Sequence, residues 1–268
     1  MPVDWIDVTD ISFNTLLLLE RVQLSWLNGW LPEPELALAL RANPAVEWYL
    51  RHKCPETNAW LDRVMAKVDE SAAADPLRVR EAELAILRTI NDLVVYAVDP
   101  AIYDAQPFLA WDSDELRSLA DWPGKTVIDV GSGTGRLAFV AAQAGAHAVF
   151  AVEPVGNLRA YIKEKARQMG GLQMGLGNVF PVDGTITALP FPDGFADVTM
   201  GGHVFGDHPA EELAELRRVT RAGGQIILCP GSSLGEQTAH EFLLAQGFAW
   251  SAFEEPRDGT KRKYWMTK

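Results

Sequence analysis

The chain has 268 residues, of which 48% are hydrophobic and 22% are charged, as in a soluble globular protein with a sizeable core. The formal net charge is −12, and almost all of the acidic excess lies in residues 1–123. Nucleic-acid binding depends on lysine and arginine, so this charge disfavours a nucleic-acid partner, although the basic run at residues 261–263 leaves a phosphate contact open.

Neither a membrane segment nor a metal site is predicted. The longest early apolar run, residues 16–19, is far shorter than the roughly 20 residues that span a bilayer. The two cysteines, Cys54 and Cys229, have neither the spacing of a disulfide framework nor that of metal ligands. We therefore expect a cytoplasmic protein without a metal.

Residues 1–110 are predicted to form a helical N-terminal region. Its strongest helix starts at Asp75 and Pro76, an N-cap acid followed by proline at the first helical position. Apolar residues then recur every three or four positions until Asp99 and Pro100. They are Val79, Ala82, Ile86, Ile90, Leu93 and Ala97. Such a stripe predicts packing into a core.

Residues 101–122 connect the two halves of the chain and are rich in aromatic side chains. They carry Tyr103, Phe108, Trp111 and Trp122. Two interpretations stay open for these rings. They pack between the halves, or they lie at the mouth of a ligand site in the second half, with the N-terminal helices folded over that site.

Residues 127–136 are the centre of the second half. A short strand-forming run leads into a turn with glycine at Gly131, Gly133 and Gly135, and residues 137–144 are typical of a helix. Glycine is needed where the backbone bends sharply and must approach a ligand without a Cβ. The N-terminus of the following helix offers unpaired N–H groups. The stretch therefore predicts a polar or anionic cofactor, whereas the turn alone would also suit an ordinary strand–helix connection.

The residues around this turn separate two classes of cofactor. The dinucleotide fingerprint Gly-x-Gly-x-x-Gly requires glycine where this chain has Arg136. Asp129 stands two residues before Gly131, and the second predicted strand, 148–152, ends in Glu153, whose carboxylate can accept both hydroxyls of a ribose. This set resembles the class I S-adenosylmethionine-dependent methyltransferases, nearest to their small-molecule type 11 domain.

The resemblance implies a doubly wound α/β domain over residues 111–268. Its sheet is expected to be mostly parallel and seven-stranded, with an antiparallel C-terminal strand beside the fifth. The alternation of predicted strands and helices from residue 126 favours the same sheet, covered on both faces.

The resemblance also implies S-adenosylmethionine as the cofactor and S-adenosylhomocysteine as its product. Glu153 is expected to hold the ribose, and Asp183 to receive the adenine amino group. The full set of expected cofactor residues is Asp129, Gly131, Ser132, Gly133, Thr134, Gly135, Glu153, Asp183 and Gly184.

The region after the third predicted strand carries the remaining resemblance. Residues 189–198 are close to a phrase common in that family, which links the third strand to the fourth. Residues 201–208 lack the Asn/Asp-Pro-Pro-aromatic tetrad of enzymes that methylate base nitrogens or glutamine amides. Carboxyl, hydroxyl, thiol, amine and carbon acceptors stay open.

His203 and Asp207 are the catalytic candidates, because the resemblance places groups here that face the transferred methyl. Histidine accepts a proton near neutral pH without special tuning. His208 could replace His203 as the base or could simply open the next helix, and His203 could instead bond the loop backbone. The candidates to line the acceptor pocket are Tyr103, Trp111 and Phe205.

Three hypotheses about function follow. The first is an enzyme that transfers a methyl group from S-adenosylmethionine to a small-molecule acceptor, with the N-terminal helices contributing to the acceptor pocket. The second is a protein that binds the same nucleotide without activity, as a scaffold or sensor. The third is a dinucleotide-dependent oxidoreductase, which the glycine spacing disfavours. No oligomeric state is predicted.

Overall fold

A computed structural model describes residues 5–169, 177–229, 237–256 and 259–268. The chain divides into two compact units, Met1–Tyr103 and Asp104–Lys268. The first unit is helical and the second is built on a β-sheet. The division falls within residues 101–122, the aromatic stretch that is predicted to connect the two halves.

Short helices follow one another in the first unit, with 3-10 turns at Phe13–Leu18 and Pro55–Thr57. They are α1 (Arg21–Ser25), α2 (Glu33–Ala42), α3 (Pro44–Lys53), α4 (Asn58–Met65), α5 (Glu70–Ala73), α6 (Pro76–Thr89), α7 (Asn91–Val98) and, at its end, α8 (Pro100–Asp104). The predicted cap of α6 is confirmed, because the Asp75 carboxylate accepts from the N–H of Leu77 at 2.9 Å. The core of this unit includes Leu36, Leu40, Leu61 and Ile86.

The long helix predicted after residue 75 is two helices, α6 and α7, which meet at Ile90. Ile90 has φ −104° and ψ 28°, outside the helical range. The next side chain, Asn91, is buried and accepts from the N–H groups of Trp5 and Ile6. The turn at Ile90 places the Asn91 side chain against this remote backbone, and the prediction of one continuous helix is wrong. The predicted core stripe is nevertheless buried at Ala82, Ile86, Ile90 and Leu93.

Seven strands of the second unit form a sheet in the order β3-β2-β1-β4-β5-β7-β6. They are β1 (Thr126–Val130), β2 (Ala148–Val152), β3 (Val179–Val182), β4 (Ala196–Gly202), β5 (Thr220–Cys229), β6 (Ala249–Glu255) and β7 (Gly259–Thr267). The first five are parallel, and β7 runs antiparallel between β5 and β6. The predicted sheet is therefore confirmed, including the antiparallel strand beside the fifth.

Helices cover both faces of this sheet. They are α9 (Asp114–Arg117), α10 (Arg136–Gln143), α11 (Gly156–Met169), α12 (Pro209–Val219) and α13 (Gln237–Ala245), with a 3-10 turn at Pro107–Leu109. Adjacent residues of β1 enter different core clusters: Val127 packs with residues of α10 and α11, and Ile128 packs with residues of α12. A parallel strand buried on both faces needs apolar residues at nearly every position, as β1 and β2 have.

Both cysteines are free thiols in this structure. Burial raises the pKa of the Cys54 thiol and raises that of the Cys229 thiol to about 12. A thiol that stays protonated is a poor nucleophile, so neither cysteine has the character of a catalytic group. Among the described residues, no helix is both long and apolar enough to cross a bilayer.

Strand β5 follows α12 directly and includes residues 222–224. Ala196 of β4 pairs with Thr220, whereas Val198 pairs with Gln225, and the register shifts between these two pairs. The additional residues of β5 form a bulge opposite β4, a common use of glycine in strands.

Gly224 in this bulge is a site where a single methyl group should destabilise the fold. A Cβ at this position would lie 2.8 Å from the carbonyl oxygen of Asp197 and 3.0 Å from that of Arg221, and backbone atoms cannot easily move away. We expect Gly224→Ala to lower the free energy of unfolding by about 1–3 kcal/mol in urea denaturation. Gly177→Ala is the control, since nothing lies within 4 Å of its Cβ position. Equal stability of the two variants would contradict this packing.

Candidate functional site

The glycine turn follows β1 and is hydrogen-bonded to the carboxyl end of β2. Gly131 and Gly135 have φ of 63° and 84°, the left-handed region that side chains other than glycine rarely adopt. A Cβ at Gly131 would also lie 2.7 Å from Val204 Cγ2. The N–H of Ser132 donates to the carbonyl of Val152 at 3.1 Å, which ties the turn to the end of β2. The turn therefore has a fixed backbone at the point where the sheet order reverses, with β2 on one side of β1 and β4 on the other.

Asp129 lies beneath this turn and is fully buried. Its Oδ2 accepts from the N–H of Ala138 at 3.0 Å, which anchors the first turn of α10. Burial raises the pKa of Asp129 well above its usual range. Among the described residues, neither Asp129 Oδ1 nor the buried Thr134 Oγ1 has a hydrogen-bond partner. Two polar atoms of the turn thus remain unsatisfied.

Glu153 follows β2 and is only 5% exposed. Its two carboxylate oxygens accept from the N–H groups of Gly133 and Val155, each at 2.9 Å. Burial raises the pKa of Glu153 to about 7 despite these two bonds. A carboxylate has about four lone-pair sites, so Glu153 can accept two further hydrogen bonds when it is ionised.

Asp183 and Gly184 follow β3, the next strand along this edge. The Asp183 side chain is largely exposed and forms an ion pair with Arg159, whose Nη1 lies 3.0 Å from Asp183 Oδ1. The same nitrogen donates to the backbone carbonyl of Glu153 at 2.6 Å. Arg159 therefore links the two predicted acids. Sequence reasoning did not single it out, because nothing in its helical pattern distinguishes it.

The loop after β4 is held by an acid that sequence reasoning missed. The N–H groups of Gly206 and His208 donate to the two carboxylate oxygens of buried Glu212, at 2.7 and 2.8 Å. Glu212 lies in the first turn of α12, where acids are favoured, and that position was an available signal. Asp207, between the two bound residues, is exposed.

His203 opens this loop with φ 59°, a left-handed conformation, and its N–H donates to the carbonyl of Cys229 at 2.8 Å. The imidazole Nε2 lies 3.6 Å from Oε1 of Glu255, a buried acid at the end of β6. Glu255 was not predicted as a site residue. The two predicted candidates differ in surroundings, since His203 has a charged neighbour and Asp207 faces solvent.

The three predicted pocket residues lie in different surroundings. Tyr103 belongs to the first unit and contacts the rings of Trp5 and Tyr96. The Arg136 guanidinium lies over the Trp111 ring, with its central carbon 4.6 Å from the centre of that ring. Phe205 is buried in the sheet core. Their roles stay predictions.

The basic run at residues 261–263 does not form an exposed strip. Lys261 and Lys263 are buried, and they pair with Glu255 and Glu115 respectively. The phosphate contact that this run left open is therefore not available to these two lysines.

Comparison with known proteins identifies the family. Residues 128–228 match the family described as "Methyltransferase domain". An uncharacterized methyltransferase of Mycobacterium sp. strain JLS is 36% identical over 185 residues, which cover 64% of this chain and 67% of that protein. The demethylmenaquinone methyltransferase of Thermobifida fusca strain YX is 29% identical over 147 residues, covering 53% of this chain and 60% of that protein. The chain therefore belongs to the methyltransferase family.

A solved structure agrees with the fold. The crystal structure of a SAM-dependent methyltransferase from Aquifex aeolicus matches with a TM-score of 0.52 at 19% identity, over 63% of this chain and 98% of that one. The sheet thus has the class I methyltransferase fold. For three of the curated relatives that it matches, the chain spans only 44% to 60% of their length.

The hold of Glu212 on the loop after β4 can be tested directly. Glu212→Gln replaces one of the two acceptor oxygens by an NH2 donor, which leaves one of the two backbone N–H groups without an acceptor. We expect a loss of about 1–3 kcal/mol in the free energy of unfolding and faster hydrogen exchange at Gly206 and His208. Glu211→Gln, an exposed acid one position earlier, should leave both measurements unchanged. Unaltered exchange at the two amides in Glu212→Gln would refute this role.

Proposed function

We propose that this chain binds S-adenosylmethionine at the glycine turn and transfers its methyl group to a small-molecule acceptor. The observation that carries the proposal is the set of unsatisfied buried polar atoms where β1 and β2 end. These are Asp129 Oδ1 and Thr134 Oγ1, and beside them the hydrogen-bonded Glu153 carboxylate keeps unused lone pairs. Unpaired buried acceptors are costly, and donors on a ligand would relieve that cost.

The donors of S-adenosylmethionine fit these acceptors. Glu153 would accept the two ribose hydroxyls, since the N–H groups of Gly133 and Val155 use only part of its capacity. Asp129 and the turn would hold the amino-acid end, and Asp183 would receive the adenine amino group. This order follows the edge of the sheet from β1 through β2 to β3.

Arg136 supports this cofactor over a dinucleotide. The third glycine of the dinucleotide fingerprint serves close packing of helix against strand, and Arg136 occupies that position. Its guanidinium donates to the carbonyls of Leu109 and Trp111, each at 2.8 Å, and to Ser113 Oγ. The side chain thus fastens the segment before β1 to α10, a role that glycine could not fill.

The reaction requires the protein mainly to align the acceptor with the methyl group and to exclude water. S-adenosylmethionine supplies a methyl group already activated on a sulfonium, so alignment of the acceptor and exclusion of water can provide much of the rate. A base is required only where the acceptor must lose a proton. We assign that role to His203, because it follows β4 at the same sheet edge and its side chain is partly exposed.

A small-molecule acceptor has two supports. The Thermobifida fusca relative is named for methylation of demethylmenaquinone, a small molecule. The acidic excess of this chain also disfavours a phosphate-rich polymer.

Calorimetry with S-adenosylhomocysteine and with NAD tests the cofactor assignment. We expect S-adenosylhomocysteine to bind and NAD to give no measurable heat. Glu153→Ala should weaken the affinity for S-adenosylhomocysteine by about 5- to 150-fold, because two ribose hydroxyls lose their acceptor, at about 1–3 kcal/mol.

Glu164→Ala is the matched control, since Glu164 is exposed on α11 and bonds Arg167 and Gln168 of the same helix. It should leave the affinity unchanged. An unaltered dissociation constant for Glu153→Ala would remove the ribose role. Transfer of labelled methyl from S-adenosylmethionine to the small-molecule fraction of a cell extract then tests catalysis.

A further inference from the structure

Glu255 is a buried carboxylate beside the candidate base. It ends β6, and its side chain has no exposed surface. Glu255 Oε1 lies 3.6 Å from His203 Nε2, and Glu255 Oε2 lies 3.4 Å from Lys261 Nζ. The carboxylate therefore stands between a lysine and a histidine, with one oxygen toward each.

Neither oxygen of Glu255 has a hydrogen-bond partner among the described residues. Both neighbours lie just outside the range of a good hydrogen bond, and a movement of about 0.5 Å would bring either into it. Catalytic hydrogen bonds are often long without substrate and tighten in the complex. A buried carboxylate without hydrogen bonds destabilises the fold. The arrangement therefore points to a functional role for Glu255.

The other charged groups near Glu255 leave the oxygen that faces His203 available to accept a hydrogen bond. Lys261 is diagonal to Glu255 across the β6–β7 hairpin and balances its charge. The second buried lysine, Lys263, forms an ion pair with Glu115, and its Nζ lies 2.6 Å from Glu115 Oε2. Burial raises the pKa of the Cys229 thiol to about 12, so no thiolate competes near the histidine. A proton added to His203 would thus face the Glu255 carboxylate.

His203 itself is held in place and can be reached. Its backbone is fixed by the hydrogen bond from its N–H to the Cys229 carbonyl. The next residue, Val204, packs against Gly131 of the glycine turn. The His203 side chain is 37% exposed, unlike the buried Glu255. One side of the imidazole faces the acid while part of the ring stays open to a substrate.

We propose that Glu255 positions His203 as a proton acceptor and that the methyl acceptor is a compound that must lose a proton, from a hydroxyl or an acidic carbon. This deepens the proposed function and rests on it. His203 Nε2–H donates to Glu255, which leaves the lone pair on Nδ1 directed away from the acid. Nδ1 then takes the acceptor's proton.

The atoms balance in this scheme. The acceptor's oxygen or carbon forms a bond to the methyl carbon, the methyl–sulfur bond breaks, and its electron pair remains on the sulfur of S-adenosylhomocysteine. The proton lost by the acceptor ends on His203. The imidazolium so formed is stabilised by the Glu255 carboxylate, whose other oxygen faces Lys261.

Nuclear magnetic resonance of the His203 ring tests the pair without cofactor or acceptor. The protein has five histidines, and the His203→Gln variant assigns the signal. In Glu255→Gln we expect the proton affinity of His203 to fall about tenfold, because the imidazolium loses its anionic neighbour. Glu254→Gln is the control, since that exposed acid pairs with Thr260. An equal titration of His203 in wild type and Glu255→Gln would overturn the pairing and leave Glu255 as a counterion of Lys261.

A second pair of variants covers the case in which Glu255→Gln does not fold. Lys261→Met and the double variant Glu255→Gln/Lys261→Met differ only in the acid, and the double variant leaves no unbalanced lysine. The proton affinity of His203 should be about tenfold lower in the double variant than in Lys261→Met. No difference between them would reject the proposal.

A separate measurement tests the proposed class of methyl acceptor. Labelled products formed from the small-molecule fraction of a cell extract should carry the methyl group on oxygen or carbon by mass spectrometry. Products methylated on nitrogen or sulfur would overturn this part. If the His203 difference is present but S-adenosylhomocysteine does not bind, the proposed function fails and the His203–Glu255 pair stands.

Discussion

The carboxylate of Glu153 holds the site together because it accepts two backbone N–H groups from different segments. One belongs to Gly133 in the glycine turn and the other to Val155 at the start of the next connection. The ends of β1 and β2 are thereby fixed relative to each other. Burial opposes the charge on this group and raises its pKa to about 7, so the ionised form depends on the hydrogen bonds that it receives.

The sheet order explains why so many polar groups meet here. Because β1 lies between β2 and β4, the connections after these strands leave in opposite directions and open a crevice at their carboxyl ends. Asp129 and Glu153 lie on one side of this crevice, and His203 follows β4 on the other. The proposed cofactor and acceptor would therefore meet at this edge of the sheet.

Much of the second unit could be predicted because its signals are local. The apolar runs of β1 and β2, the glycine turn and Glu153 are contiguous in sequence, and they lie where the pattern indicates. The break at Ile90 could not be predicted, since the apolar spacing continues through it and the Asn91 side chain bonds backbone more than 80 residues away.

Glu255 was missed for a similar reason. In sequence it is a second acid before a turn, typical of an exposed loop. In the fold it is buried and faces Lys261 across the hairpin and His203, which lies far earlier in the chain. Lys261 and Lys263 are two positions apart on β7 and therefore lie on the same face of the strand.

The most direct test of this account is the affinity for S-adenosylhomocysteine measured by calorimetry from about pH 5.5 to 8.5. Ribose binding requires an ionised Glu153, whose pKa is about 7 without ligand. The account predicts an affinity that is constant above that pH, falls up to about tenfold per unit below it, and is accompanied by release of a proton. Glu153→Gln should bind weakly with no such dependence. A wild-type affinity that is the same at pH 6 and pH 8, with no proton released, would contradict the assignment of Glu153 to the cofactor.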